Sequence, residues 1–278
     1  VTALFARARS FWPMADEALH RVREPSPLML SLRANASGAT PTLPRAIRDD
    51  RLLSDMREAF EGDSGLWRAR LVLVRQLTSE NQGRDALDML REGLESQPEN
   101  AALWHEMGVL ARRIGLQTIA EESFRNALSH DRRACGSLHQ LVMMYHDVGL
   151  TRQRDEALEA LVACDATSRT RTQILVDTGQ GVAAYEETLR LQALDEYPSG
   201  LEEEIVDLGM ATGRLDDARE VLNRLHERWY RASSYVGALA DLDGAADGTA
   251  AAQRRLTDAI ESQPWEMGGL RRAAALLG

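Results

Sequence analysis

ENAALWHEMGVLARRIGLQTIAEESFRNALSHD, residues 99–131, is the stretch that decides how this chain folds. Trp104, Met107, Val109, Leu110 and Ile114 recur at three- and four-residue intervals, the spacing of one helix face. Gly115 follows, a residue suited to left-handed backbone at a helix end. A second helical pattern runs through Ile119, Ala120, Phe124, Ala127 and Leu128. The spacing predicts two short antiparallel helices joined by a tight turn. Gly108 and Ala120 are expected at a close helix crossing, one small residue on each side, with Trp104 and Phe124 filling the gaps at its edges. A pair of this kind cannot bury both faces alone, so it should be one unit of a stack.

The same residues resemble the tetratricopeptide repeat, a unit of about 34 residues with the pattern W-x2-L-G-x2-Y, then A-x3-F, then A and P. Here it reads Trp104-x2-Met107-Gly108-x2-Ala111, then Ala120-x3-Phe124-x2-Ala127. Met replaces Leu, Ala replaces Tyr, and Arg132 stands where the family often has proline. Upstream, Ala86, Leu90, Gly93 and Pro98 fall one repeat length before Ala120, Phe124, Ala127 and Arg132, after a first helix expected over 66–77. Downstream, Leu138, Leu141, Val142 and Tyr145 fall one repeat length after Trp104, Met107, Gly108 and Ala111. That repeat closes with Ala157, Leu161 and Cys164 after a turn around Gly149.

Later units are weaker. Residues 168–198 give a degenerate pair ending at Tyr197-Pro198; 213–225 carry Gly213 as turn with Ala218 and Leu222 in the small and large positions. Ala252, Leu256, Ala259 and Pro264 repeat the scheme. The resemblance implies an all-α, right-handed superhelical solenoid of antiparallel helix pairs, with repeats near 66–100, 101–134, 135–167, 168–198, 199–231 and 232–264. A single helix over 265–278 is expected to cap it. Residues 1–65 read as a divergent, repeat-like helical segment, with "RANASGATPTLPRA" giving a Ser/Gly/Pro-rich loop near 34–45.

Composition narrows the function classes. The 278 residues are 44% hydrophobic and 27% charged, a globular balance, and only 5% aromatic. The formal net charge of −10 disfavours nonspecific binding to nucleic acid or an anionic membrane. All 33 basic residues are arginine, which excludes a lysine Schiff base or a P-loop lysine. No run reaches the ~18 uninterrupted apolar residues of a membrane span. Cys135 and Cys164 make no secreted disulfide framework, so a reducing, cytoplasmic setting is expected.

No G-x-G-x-x-G, G-x4-G-K-[ST], H-E-x-x-H or G-x-S-x-G motif occurs. Runs such as Glu202, Glu203 and Glu204 read as a solvated helix face. One constellation raises metal chemistry: Cys135, His139, Met143 and His146 share a helix face, with His105 one repeat earlier. At 1.5 Å per residue those four span ~16 Å, too far for one ion. At most Cys135/His139 or Met143/His146 could join a ligand from a neighbour, and neither metal nor cofactor is expected.

In the resembled family the first helix of each pair lines a groove that receives an extended peptide or a helix. The resemblance therefore implies a non-enzymatic protein-interaction scaffold, and it places His105, Val109, Arg112, Arg113, His139, Met143, His146 and Asp147 in that groove. Histidine and valine or methionine stand where the chaperone-type carboxylate clamp has lysines and asparagines, so chaperone C-termini are not the expected ligand. An apolar peptide carrying an acidic residue fits better; Arg112 and Arg113 read equally as solvated helix-end charges. Two alternatives stand beside the scaffold: the repeat arm of a larger, enzymatic protein, and a soft-metal-binding helical protein. The expected partner is a protein or peptide, with self-association open and neither nucleic acid nor membrane insertion implied.

Overall fold

The computed structural model describes residues 16–39, 44–194, 200–228 and 233–262. Among the described residues every regular element is a helix. The first are α1 (16–20), α2 (Pro27–Ala39) and α3 (Arg45–Gly62). Then come α4 (Trp67–Ser79), α5 (Gly83–Ser96), α6 (Ala101–Arg113), α7 (Gln117–His130), α8 (Cys135–Asp147) and α9 (Thr151–Cys164). The series ends with α10 (Thr170–Asp177), α11 (Gly181–Leu194), α12 (Glu202–Thr212), α13 (Leu215–Arg228), α14 (Ser233–Asp247) and α15 (Thr249–Ser262). The chain forms two compact units, Val1–Met144 and Tyr145–Gly278, and the division falls within α8.

From α4 onward a left-handed turn residue punctuates each pair. Asn81, Gly115, Gly149, Gly179, Gly213 and Gly248 have φ of 61°, 82°, 73°, 73°, 71° and 86°. Each ends a first helix and lets the chain reverse into a second, where a Cβ would be strained. Asn81, the one non-glycine, belongs to a residue type that tolerates this region.

In the first unit, α4 and α5 pack against α6 around Leu71, Val74, Ala86, Leu90, Leu103, Met107 and Leu110. At the α6–α7 crossing the residue nearest Gly108 is Phe124. A Cβ on Gly108 would lie 2.6 Å from Phe124 Cε1, so the glycine makes room for the Phe124 ring. Ala120, Phe124 and Ala127 are all fully buried. Trp104 sits at the edge, half-buried, its Nε1 donating to the Pro98 carbonyl at 2.7 Å.

Arg70 stands one repeat length before Trp104, where the repeat pattern has its aromatic. Its side chain is buried, its guanidinium donating to the carbonyls of Met89 and of Ser64 (3.1 Å) and lying 4.9 Å from the Phe60 ring. Gly93 accommodates it: a Cβ there would lie 2.6 Å from Arg70 Cδ.

The expected loop at 34–45 is corrected over its first part, because α2 runs through Ala39. Leu30, Ala34 and Ser37 form its buried stripe, and Ala34 joins a core with Met56 and Ala59 of α3. The small residues that read as loop chemistry allow two helices to pack closely. Ser37 Oγ donates to Asp16 Oδ1, and Arg33 forms a bidentate pair with Asp55 (2.6 and 2.9 Å).

In the second unit, Tyr185, Ile205, Ala218, Leu222, Tyr235, Leu239 and Leu242 are fully buried or nearly so in one core. Ala240, Ala252 and Leu256 join α14 to α15. Asp243 of α14 binds Arg219 of α13 (3.1 Å) and Arg255 of α15. Tyr197-Pro198, residues 40–43 of the expected loop, and the expected capping helix over 265–278 lie outside the described residues.

Cys135 and Cys164 are both disulfide-bonded. Among the described residues no helix is long and apolar enough to cross a membrane.

Candidate interaction face

Three first helices of the first unit supply one register: α4, α6 and the part of α8 up to Met144. Because each turn residue follows its helix at a fixed distance, residues one repeat apart take equivalent places. Arg75, Val109 and Met143 form one such row, and His105 and His139 belong to another. Asn100 caps α6, its Oδ1 accepting from the Ala102 and Leu103 amides. That cap fixes where the helix starts and thus which way His105 and Val109 project.

His105 is half-buried between helices. Its Nδ1 lies 2.8 Å from Ser137 Oγ of α8, and its ring centroid lies 5.7 Å from that of Phe124 at 51°. Gly136 leaves the space, since a Cβ there would lie 3.2 Å from His105 Cε1. Burial pushes the imidazole below its ordinary range, Arg75 adding to the effect and Glu106 opposing it. Arg112 makes a second bridge, its Nη1 donating to Gln140 Oε1 at 2.7 Å. His139 is more exposed; partial burial, and then the Arg112 guanidinium, also lower its pKa. Val109 and Met143 are half-buried and Arg113 is exposed.

The predicted set therefore divides. His105, Val109, Arg112, Arg113, His139 and Met143 belong to the first unit. His146 and Asp147 belong to the second, where His146 Nε2 lies 3.4 Å from Asp177 Oδ2 and Asp147 is exposed.

Sequence reasoning missed the pair formed by Arg75 and Glu106. Arg75 Nη2 reaches Glu106 Oε2 at 2.7 Å, and its Nε lies 3.1 and 3.2 Å from the two oxygens. Glu106 is nearly buried, and the bond to it raises the Arg75 pKa. The repeat register would have placed Arg75 in the row of Val109. Nothing in the sequence pairs it with an acid 31 positions away.

The metal reading loses a ligand: a sulfur held in a disulfide has no thiolate to give, which removes Cys135. Among the described residues no group of three or more His, Cys, Asp or Glu could hold an ion. What the face offers is recognition chemistry. Two imidazoles biased to the neutral form can each donate and accept, beside a guanidinium and two apolar side chains.

Solved structures show the same fold. Yeast Tom70 superposes with a TM-score of 0.61 at 11% identity over 95% of this chain, which spans 57% of the Tom70 chain. The APC/C heterotetramer Cut9–Hcn1 gives 0.52 at 12% identity, over 99% of this chain and 54% of that one. The human IFIT1 dimer with PPP-AAAA gives 0.50 at 15% identity, over 90% of this chain and 68% of that one. No protein-family model and no curated protein matches the sequence. The class is thus defined by its fold: an all-α chain of antiparallel helix pairs of the tetratricopeptide-repeat type.

Proposed function

We propose that the protein is a non-enzymatic scaffold that holds a segment of a protein partner against the first-helix face of its first unit. The observation that carries this reading is the cross-bridged register. His105–Ser137 and Arg112–Gln140 tie α6 to α8, so the rows of His105 and His139 and of Val109 and Met143 stand in one ordered surface. A surface ordered before binding loses less side-chain entropy when a ligand arrives. The neutral imidazoles and the apolar row favour a peptide bound by hydrogen bonds and apolar contacts, with Arg112 selecting for an acidic side chain. His146 and Asp147 are not needed for this face. Cut9–Hcn1, one structural neighbour, is itself part of a protein heterotetramer, in keeping with a scaffold role.

The test is to pan a displayed random-peptide library against the full chain, and to measure each selected peptide on wild type and on His105→Ala/His139→Ala. Peptides weakened about tenfold or more on a variant whose melting temperature stays within a few degrees would support the face. Peptides indifferent to the variant would place binding elsewhere and overturn it.

A further inference from the structure

Along α5, a second helix of its pair, runs a cleft of about 430 Å³ lined by Gly83, Arg84, Leu87, Asp88, Arg91 and Ile114. That volume falls within the ~300–1,000 Å³ of small-molecule sites. All six residues belong to the first unit, and none belongs to the first-helix rows described above. Arg84, Leu87, Asp88 and Arg91 stand at i, i+3, i+4 and i+7, one face of α5. Ile114 closes the cleft from the C-terminal end of α6, where a Cβ on Gly83 would lie 3.5 Å from its Cγ2.

The charges in this cleft are unevenly matched. Arg91 Nη1 lies 3.1 Å from Asp88 Oδ1, the acid-before-base order that a helix favours. Arg84, four residues before Asp88, is exposed and has no hydrogen-bond or ion-pair partner among the described residues. It also stands in the first turn of α5, where the helix dipole is positive and a lone cation is ill placed. Asp85, in the same turn, makes no ion pair with it. The apolar wall is uncovered as well: Ile114 is 43% exposed, whereas Leu87 is 9% exposed. An unmatched guanidinium and an uncovered isoleucine thus line one cavity.

We propose that this cleft binds a small monocarboxylate with an apolar body, its carboxylate on the Arg84 guanidinium and its body between Leu87 and Ile114. The planar fork of a guanidinium matches a carboxylate through two parallel hydrogen bonds. Asp88, already holding Arg91, sets a negative charge in the same cleft, so a monoanion is accepted and a second negative charge is repelled. The inference does not rest on the proposed scaffold role, which uses other residues.

The probe is phenylbutyrate, titrated onto the full chain beside phenylbutanol and inorganic phosphate, with amide shifts followed by heteronuclear NMR. The acid should bind with a Kd on the order of 1 mM or below and shift the amides of Gly83, Arg84 and Ile114. The alcohol and phosphate should each bind at least about threefold more weakly. Arg84→Gln should weaken the acid roughly threefold to tenfold, and Ile114→Ser should weaken it by a similar factor. Neither side chain is buried, so the melting temperature should hold for both. Arg57→Gln removes an exposed arginine from α3 and should have no effect. Absence of binding, an alcohol as tight as the acid, or phosphate as tight as the acid would each overturn the proposal. So would equal weakening by Arg57→Gln, which would reduce the interaction to bulk charge, or loss only with His105→Ala/His139→Ala, which would send the ligand to the first-helix face.

Discussion

Gly108 and Phe124 fill one volume between them: a Cβ on the glycine would lie 2.6, 2.7 and 2.8 Å from three atoms of the phenylalanine ring. Real Cβ atoms do not approach carbon so closely, and the ring is fully buried and has nowhere to retreat. Gly108→Ala should therefore destabilise the chain by about 1–3 kcal/mol despite the better helix propensity of alanine. Phe124→Leu should recover part of that loss in the double variant. Thermal melts of the three proteins check this, and an unchanged melting temperature for Gly108→Ala would mean that α6 and α7 cross elsewhere.

Arg70 and Gly93 are coupled in the same way, with a charge added. Arg70→Ala leaves the Ser64 and Met89 carbonyls without their donor and opens a void. The expected cost is about 2–4 kcal/mol. Gly93→Ala should cost less once Arg70 is removed, because the two nearest contacts are with Arg70 Cδ and Nε and only Leu103 Cδ1 at 3.2 Å remains. Urea denaturation of both single variants and the double should thus give a total well below the sum of the two. Additive losses would rule out the contact.

His105 makes stability depend on pH in a definite sense. Its pKa is lower in the folded chain than the ordinary 6.5, chiefly through burial, so the unfolded chain takes up protons first as pH falls. Its contribution is complete above about 6.5 and is lost as pH falls from there toward the lowered folded value. Wild type should lose more stability than His105→Asn between pH 7.5 and 5.5 in parallel urea titrations. Equal losses would mean that the imidazole is as well solvated folded as unfolded.

Asp243 links α13, α14 and α15 by accepting from Arg219 and Arg255, and it is nearly buried. Asp243→Ala takes the carboxylate from Arg255 and leaves Arg219 only its exposed partners Asp216 and Asp247, and a loss of about 2–3 kcal/mol follows. Asp216→Ala removes an exposed partner of the same Arg219 and should cost under ~1 kcal/mol. Comparable losses for the two would show that Asp243 is solvated.

Helix identity was legible wherever a 3.6-residue pattern met a turn residue, as at 101–130. Tertiary packing overrode composition at 34–39: Ala34, Ala36 and Ser37 read as loop because small residues favour turns, whereas here they let α2 lie against its neighbours. The rows of His105 and His139 and of Val109 and Met143 were visible from the repeat spacing alone. Their environment was not. His105 faces Ser137, 32 positions away, and Arg75 faces Glu106, 31 away, and neither separation matches the repeat length.

The sequence by itself determined the helix pairs and their turns, because periodicity and left-handed glycines act over a few residues and need no distant partner. Tertiary structure alone decided that the Phe124 ring lies directly against Gly108. It also decided that an arginine can occupy the place of the repeat's aromatic, and that six of the eight expected face residues fall in one unit and two in the other. Those outcomes depend on side-chain volumes, desolvation and hydrogen bonds between helices far apart in the chain, which a one-dimensional pattern does not encode.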